Sequence, residues 1–310
     1  MSVQAPVTVD DLRTVLAAVH AADDIDELPR DLGSPERTSV FIIGDIVVKI
    51  DLSAVQRATR ERAALDHLVA TDLPVPRCVG SGVLADGREW IAITRMDGVP
   101  PPDAARPVHE LSRSLASELG AITARLHAVP GPGYIGPANR RFSSYVEKAA
   151  RQSRRMTDLG YGTHCVPREE VDDLMALLDR TRQCLATAPG PPRLVHGDVQ
   201  PRNVLVDGSG AITALLDFEV AGGGDPTEDF ALVGLDWHAP GFAAFCEGYA
   251  ERGGRLDTDA PFRVAHHVGR WAMAVFVYLG AFAPAYVEPA RRAVSRLRAG
   301  EVPYLGPALT

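Results

Sequence analysis

The first third of the chain contains strand-like runs on either side of one helical segment. Ser53 and Gln56 have the spacing of a capping box, which predicts a helix from there to about Ala70. Gly44 and Asp45 alone separate the first two strand-like runs, as in a two-residue hairpin. The pattern predicts two strand pairs, Thr38–Ile43 with Ile46–Ile50 and Cys78–Leu84 with Glu89–Thr94.

The segment Asp97–Pro102, with the sequence DGVPPP, interrupts this pattern, and helical periodicity dominates after it. Leu115, Leu119 and Ile122, for example, fall on one face of a predicted helix. We therefore predict a small β-rich lobe at residues 1–97 and a larger, mainly helical lobe at residues 98–310, an α+β fold. Short strands are predicted in the second lobe at Arg193–His196, Val204–Val206 and Ile212–Leu216.

The composition narrows the class of protein. The 310 residues carry a formal charge of −8, which argues against a broad nucleic-acid-binding surface. An acidic balance suits a cationic substrate, but it suits simple solubility equally well. The four cysteines form no C-x-x-C pair, so neither a zinc site nor a disulfide framework is indicated. We expect a cytoplasmic protein with reduced cysteines and no obligate protein partner.

One uncharged, largely apolar segment runs from Trp271 to Val287. It is shorter than the roughly 20 residues of a membrane helix, and Gly280 and Pro284 interrupt it. We predict a buried core helix here and no membrane span.

The chemistry is concentrated between Leu194 and Glu219, in the sequence LVHGDVQPRNVLVDGSGAITALLDFE. Asp198 and Asn203 lie five residues apart, and Asp217 follows at the end of a predicted strand. Phosphoryl transfer needs an aspartate to orient the attacking hydroxyl, and an amide oxygen and a carboxylate to hold magnesium. The alternative for each acidic residue alone is a loop or helix-capping role.

Together with Gly224-Asp225-Pro226 and Asp229, the HGD motif at His196–Asp198 resembles the motifs of the aminoglycoside phosphotransferases. Choline, homoserine and fructosamine kinases belong to the same superfamily. The resemblance implies a bilobal, protein-kinase-like fold, ATP as donor with GTP not excluded, and Mg²⁺. It implies that Asp198 is the catalytic base and that Asn203 and Asp217 bind the metal. His196, Asp225 and Asp229 are then expected to support the catalytic loop.

Two charged residues of the first lobe fit this interpretation. Lys49 lies in the strand IVVKI, and Glu61 shares the apolar face of the following helix with Ala58 and Leu65. A carboxylate on an apolar face needs a partner. We predict a Lys49–Glu61 pair, with Lys49 reaching the nucleotide phosphates. The alternative is a surface lysine and a half-exposed glutamate.

Other nucleotide contacts are predicted less directly. No G-x-G-x-x-G motif precedes Lys49, so the candidate phosphate loop is Gly33–Ser39, with Ser34 and Ser39 as its polar contacts. At the boundary of the lobes, backbone groups around Arg95 and Asp97 are expected to bind adenine.

The acceptor is predicted to be a small molecule, since few residues separate Asp217 from Asp229 and a peptide-binding activation segment needs more. An aminoglycoside or related antibiotic is the leading hypothesis, and a metabolite such as an amino alcohol or sugar is the nearer alternative. A nucleotide-binding module without catalysis is the distant one. Acidic Glu228, Asp236 and Glu247 suit a cationic acceptor. The basic insert at residues 140–155 argues against a cationic acceptor. Its basic residues are Arg140, Arg141, Lys148, Arg151, Arg154 and Arg155.

Overall fold

The computed structural model describes residues 6–21, 25–33, 38–52, 56–102, 104, 111–134, 141–151, 165–187, 190–307 and 309. The strands of the amino-terminal part are β1 (Thr38–Ile43), β2 (Ile46–Asp51), β3 (Cys78–Val83) and β4 (Glu89–Thr94). They form one antiparallel sheet in the order β1-β2-β4-β3. Both predicted strand pairs are confirmed, and Gly44 has a φ of 54° in the first turn, which glycine adopts without steric cost.

Two helices cover this sheet. Helix α1 (Val9–Ala18) packs Leu12, Val15 and Leu16 into a core formed with β1, β2 and β4. Helix α2 (Arg57–Leu68) packs its apolar face against other residues of β4 and against the carboxyl-terminal part of the chain. The sheet therefore lies between α1 and the rest of the molecule.

The predicted capping box of α2 is not the observed start of that helix. Gln56 is left-handed, with a φ of 57°, and its side chain caps no backbone group. Ser53 lies outside the described residues. The Asp51 carboxylate accepts the Arg57 N–H at 3.0 Å instead, so a strand residue supplies the acceptor that the first helical turn requires.

The carboxyl-terminal part is mainly helical, as predicted. Residues 145–151 are helical within the basic insert. The labelled helices are α3 (Arg113–His127), α4 (Arg168–Thr181), α5 (Pro240–Glu251), α6 (Ala260–Ala274) and α7 (Val287–Arg298). Helices α3 and α5 cross at close distance. A Cβ on Gly248 would lie 1.9 Å from the Ser117 carbonyl oxygen, so glycine is needed at this crossing.

Two short antiparallel pairs carry the HGD motif and the acidic residues after it. They are β5 (Arg193–Val195) with β8 (Gly222–Gly224), and β6 (Val204–Val206) with β7 (Ile212–Leu215). The sequence did not predict β8, because three successive glycines have low strand propensity. Glycine is required there by packing, since a Cβ on Gly223 would lie 1.9 Å from the Gly133 carbonyl oxygen.

The apolar segment predicted as one buried helix is divided in the structure. Helix α6 ends at Ala274, a π-helical turn covers Val275–Leu279, and α7 begins at Val287. Ala272–Val277 are buried, so this part of the prediction is confirmed. No helix in the described part of the chain is long and apolar enough to cross a bilayer.

Candidate active site

The loop between β5 and β6 presents Asp198 and Asn203. His196 Nε2 lies 2.8 Å from the Leu216 carbonyl oxygen, which can only accept, so Nε2 carries a proton. Nδ1 is then free to accept the Asp198 N–H at 3.2 Å. In the other direction, the Leu216 N–H donates to the Asn203 carbonyl oxygen at 2.8 Å. The imidazole and these backbone bonds join the loop to the residue that precedes Asp217.

Asp229 stabilises the same loop from the interior of the protein. It is buried and accepts the His196 N–H at 2.8 Å, the Gly197 N–H at 2.6 Å and His127 Nε2 at 2.9 Å. Although burial opposes its ionisation, the hydrogen bond from His127 and the backbone donors lower the pKa of Asp229. Asp225 does not contact the loop among its described partners. It lies 2.6 Å from Arg263 in α6, so it holds the segment after β8 against that helix.

The Asp198 carboxylate accepts three side-chain donors from its own loop. Asn203 Nδ2 donates to Oδ2 at 2.9 Å, and Gln200 Nε2 donates to Oδ1. Arg202 approaches Oδ2 at 3.4 Å. The Asp198 side chain is 13% exposed, so it is largely enclosed but still reachable by a ligand.

Lys49 joins the sheet to the residue after β7. Its Nζ lies 2.8 Å from Glu61 Oε1 and 3.0 Å from Asp217 Oδ1. Burial opposes the charged form of the lysine, but the Glu61 and Asp217 carboxylates raise its pKa. The Lys49 ammonium in turn lowers the pKa of Asp217 against the effect of burial. The predicted Lys49–Glu61 contact is therefore present in the structure, and Asp217 shares it.

Asp217 itself is left-handed, with a φ of 68°. A non-glycine residue in this region costs about 1–2 kcal/mol, which neighbouring contacts must offset. Phe218, which follows, is fully buried and stacks edge-on against His196. The contact with Lys49 on one side and the packing of Phe218 on the other hold the carboxylate in this conformation.

Glu219 and Arg57 form a second ion pair between α2 and the segment after β7. Burial and the nearby Asp217 carboxylate raise the pKa of Glu219 to about 7, and Arg57 opposes this rise. From the sequence, Glu219 stands out only as a replacement for the glycine of a D-F-G motif. Arg57 was missed, because the face of a helix that meets a distant segment is visible only in the fold.

Two side-chain oxygens at this site are chemically suited to a magnesium ion. Asn203 donates both of its described side-chain hydrogen bonds through Nδ2, which leaves its Oδ1 available as a ligand. Asp217 is 35% exposed and uses Oδ1 toward Lys49, which leaves Oδ2. No group of three or more His, Cys, Asp or Glu side chains could hold a metal among the described residues. Two protein ligands completed by phosphate oxygens are what Mg²⁺ commonly uses.

The structure does not bring the other predicted nucleotide contacts into an open site: they are undescribed, buried or already hydrogen-bonded within the protein. Ser34 is outside the described residues. Ser39 belongs to β1 and is 3% exposed, so a ligand cannot reach its hydroxyl without a shift of the strand. Arg95 and Asp97 are exposed at the end of β4, but the Arg95 N–H donates to the Asp45 carbonyl oxygen at 2.8 Å. Adenine would have to use other backbone groups of this segment.

The acidic residues considered for a cationic acceptor all contact cations. Glu228 lies 3.2 Å from Lys148, Asp236 lies 2.8 Å from Arg296, and Glu247 lies 2.9 Å from Arg113. Lys148 is buried rather than on a solvated face of the basic insert, and it also donates to the Gly223 carbonyl oxygen at 2.8 Å. Arg140, Arg154 and Arg155 lie outside the described residues.

The fold is shared with solved phosphotransferases. A thermostable mutant of aminoglycoside phosphotransferase APH(4)-Ia, solved with AMP-PNP and hygromycin B, matches with a TM-score of 0.65 and 17% identity over 92% of this chain and 97% of that one. The GDP and kanamycin complex of APH(2")-IIia matches with a TM-score of 0.61 and 16% identity over 94% of this chain and 99% of that one. The predicted kinase-like α+β fold is confirmed.

The chain is also similar in sequence to curated proteins, two of which are described below. The uncharacterized protein YcbJ of Bacillus subtilis (strain 168) is 38% identical over 68 residues, 22% of either chain. Viomycin phosphotransferase of Streptomyces vinaceus is 24% identical over 198 residues, 60% of this chain and 64% of its own. Less than two thirds of each relative is therefore matched. The model of the phosphotransferase enzyme family matches residues 32–266, which is most of the chain. The chain therefore belongs to the phosphotransferase enzyme family.

Proposed function

We propose that this phosphotransferase is a kinase that transfers the γ-phosphoryl group of ATP to a hydroxyl of a small molecule. The observation that carries the proposal is the contact of Lys49 with Asp217, at 3.0 Å, beside a loop that presents Asp198 and Asn203. These are the charged and amide groups that phosphoryl transfer requires, on elements linked by hydrogen bonds. The distant alternative of a non-catalytic nucleotide-binding module does not account for all four.

Each residue has one task in this proposal. Asp198 orients the acceptor hydroxyl and takes its proton, and Lys49, held by Glu61, binds the phosphates of the nucleotide. Asn203 and Asp217 would hold Mg²⁺, which neutralises charge on the phosphate oxygens when it is bound. We place the nucleotide between residues 1–97 and residues 98–310, with adenine near Arg95 and Asp97.

The acceptor follows from the segment between Asp217 and Asp229. In the structure this segment consists of two short 3₁₀ turns and the three-residue strand β8. It offers no extended platform for a peptide, so we propose a small acceptor. The viomycin phosphotransferase favours an antibiotic acceptor, and the hygromycin B and kanamycin bound to the solved relatives favour an aminoglycoside or related antibiotic.

A second candidate is a kinase of a neutral or weakly charged metabolite, such as a sugar or amino alcohol. The observation that favours it is the pairing of Glu228, Asp236 and Glu247 with lysine or arginine. A polycationic ligand would have to compete with these cations for the carboxylates.

An acceptor panel tests the proposal. The purified chain would be incubated with Mg²⁺ and ATP, or GTP, and with aminoglycosides, peptide antibiotics, sugars and amino alcohols, and the products would be analysed by mass spectrometry. We expect one class to gain a phosphate, and the Asp198→Ala variant to lose about 10²-fold or more in kcat. Turnover of a non-basic alcohol alone would select the metabolite kinase. Wild-type turnover by Asp198→Ala would refute the assignment of the base.

A further inference from the structure

Arg202 is a charged residue of the catalytic loop to which the proposed mechanism gives no task. It lies four residues after Asp198 and directly before Asn203, in the 3₁₀ turn Pro201–Asn203 that ends the loop. The turn directs its guanidinium back toward Asp198, where Nη2 lies 3.4 Å from Oδ2. Its side chain is 55% exposed, so its donors are accessible to a ligand.

The position of Arg202 links the proposed base to a proposed metal ligand. Its guanidinium contacts Asp198, and its backbone directly precedes Asn203. In phosphoryl transfer the base contacts the acceptor and the metal contacts the phosphate oxygens, so a cation at this position lies beside the transferred group.

A purely structural task explains Arg202 poorly. Gln200 and Asn203 already orient the Asp198 carboxylate, and Asn203 does so at 2.9 Å, much closer than Arg202. A half-exposed ion pair at 3.4 Å adds little stability, because water screens it. A guanidinium remains charged at every accessible pH and presents paired donors that match phosphate oxygens.

We propose that Arg202 is a further catalytic residue whose guanidinium binds the γ-phosphate of the bound nucleotide and keeps this contact through the transfer. The inference rests on the proposed kinase function. In the step, the bond between the γ-phosphorus and the β–γ bridging oxygen breaks and ADP leaves with that electron pair. A bond forms between the acceptor oxygen and the γ-phosphorus, and the hydroxyl proton passes to Asp198. Arg202 leaves Asp198 for the phosphoryl oxygens, which frees that carboxylate for the acceptor.

The test compares two nucleotides that differ in the γ-phosphate. Calorimetry would measure the Kd of AMP-PNP and of ADP, each with Mg²⁺, for the wild type, Arg202→Gln and Arg202→Lys. Arg113→Gln is the matched control, because Arg113 is 60% exposed and pairs with Glu247 in a surface contact between α3 and α5. Since Arg202 is also exposed, both of its variants should fold, and circular dichroism would verify this.

We expect Arg202→Gln to raise the Kd of AMP-PNP by about tenfold or more, while the Kd of ADP changes by less than about twofold. Arg202→Lys should recover part of the loss, because it restores the charge but not the paired donors. With an identified acceptor, kcat should fall about 10²-fold or more in Arg202→Gln. Arg113→Gln should match the wild type in both nucleotide affinities.

Two results would overturn the inference while the kinase function stands. One is an unchanged ratio of AMP-PNP to ADP affinity with a lower kcat, which would show that Arg202 only positions Asp198. The other is an unchanged ratio with a raised KM for the acceptor, which would assign Arg202 to acceptor binding. If the wild type binds neither nucleotide, the proposed function itself fails and this inference with it.

Discussion

Asp217 shows how much one residue of this site depends on its neighbours. It combines a left-handed backbone, a contact with Lys49 at 3.0 Å and a preceding residue bonded to the loop between β5 and β6. A side-chain amide in its place would keep the shape and the tolerance for a positive φ, but not the charge. The charge is what the proposed magnesium site would lose, because Asn203 supplies only a neutral oxygen.

We therefore expect Asp217→Asn to fold and to lose the dependence of nucleotide binding on magnesium. In the wild type, Mg²⁺ should tighten ATP binding, and in the variant the Kd should be similar with Mg²⁺ or with EDTA. Calorimetry measures both. Asp207→Asn is the control, because Asp207 accepts hydrogen bonds only within the exposed β6–β7 turn among its described contacts. A variant at position 217 that keeps the full magnesium effect would exclude this residue as a ligand.

Some contacts of this site could be predicted from the sequence, because the residue types and their spacing indicated which groups need a partner. Lys49 and Glu61 are charged residues on apolar faces, and such groups need partners. The contacts of Arg202 and Arg57 could not be predicted in this way, because charged residues in turns and at the starts of helices are usually exposed to solvent. Their positions depend on how the loop turns back and on how α2 meets Glu219, which are tertiary features.

At the scale of elements, the crossing of α3 and α5 depends on glycine. A methyl group at Gly248 would lie 1.9 Å from the Ser117 carbonyl oxygen, so the helices would have to separate. We expect Gly248→Ala to lower the free energy of unfolding by about 1–3 kcal/mol, because overpacking outweighs the gain in helix propensity. Gly208→Ala is the control, since a methyl group at that position would have no atom within 4 Å.

Urea unfolding would measure both variants. The control should stay within about 0.5 kcal/mol of the wild type. A Gly248→Ala variant as stable as the control would mean that the two helices are not held at this distance.

The contact between α4 and α6 makes stability depend on pH. His266 in α6 is buried with its Nδ1 2.9 Å from Thr181 Oγ1, and burial and the nearby arginines lower its pKa to about 3. The unfolded chain takes up a proton near pH ~6.5, whereas the folded chain does not. The stability due to neutral His266 is therefore complete above about pH 6.5 and is lost as the pH falls toward 3.

We expect the wild type to lose about 1–2 kcal/mol of unfolding free energy from this group between about pH 7 and pH 5. His266→Gln should lose less over the same interval, even where altered packing lowers its stability at every pH. Denaturant titrations at several pH values across this interval would compare the slopes. Parallel curves for the two proteins would contradict the assignment.

At the scale of the elements, local periodicity predicted the strands of the amino-terminal sheet, but it did not predict β8 or the break between α6 and α7. The four strands of the sheet were predictable because β-rich runs alternate with turn residues. The β8 strand was not, since its glycines are selected by contact with Gly133 rather than by propensity. The break between α6 and α7 was also missed, because an apolar segment indicates burial but not continuity of its helix.

At the scale of the whole molecule, a nucleotide bound as proposed would contact both the amino-terminal sheet and the loop between β5 and β6, and it should make these two parts of the chain unfold together. We expect a single calorimetric transition that moves to higher temperature with Mg²⁺ and ATP. The stabilisation should reach about 2.7 kcal/mol when the ligand is at about 100 times its Kd. Two separate transitions, with only one shifted, would show that the nucleotide binds to one part alone.

The shared contact of Lys49 has a consequence for which nucleotides the molecule can retain. The ammonium already donates to three oxygens, two of Glu61 and one of Asp217, so a phosphate oxygen must displace at least one of them before it contacts the lysine. Only a ligand with a phosphate enters this exchange, and its gain rises with the number of phosphate oxygens that replace the carboxylate oxygens. Adenosine has no phosphate and therefore gains nothing from the lysine. In the proposed mechanism, Lys49 would favour a nucleoside triphosphate over adenosine and over nucleotides with fewer phosphates.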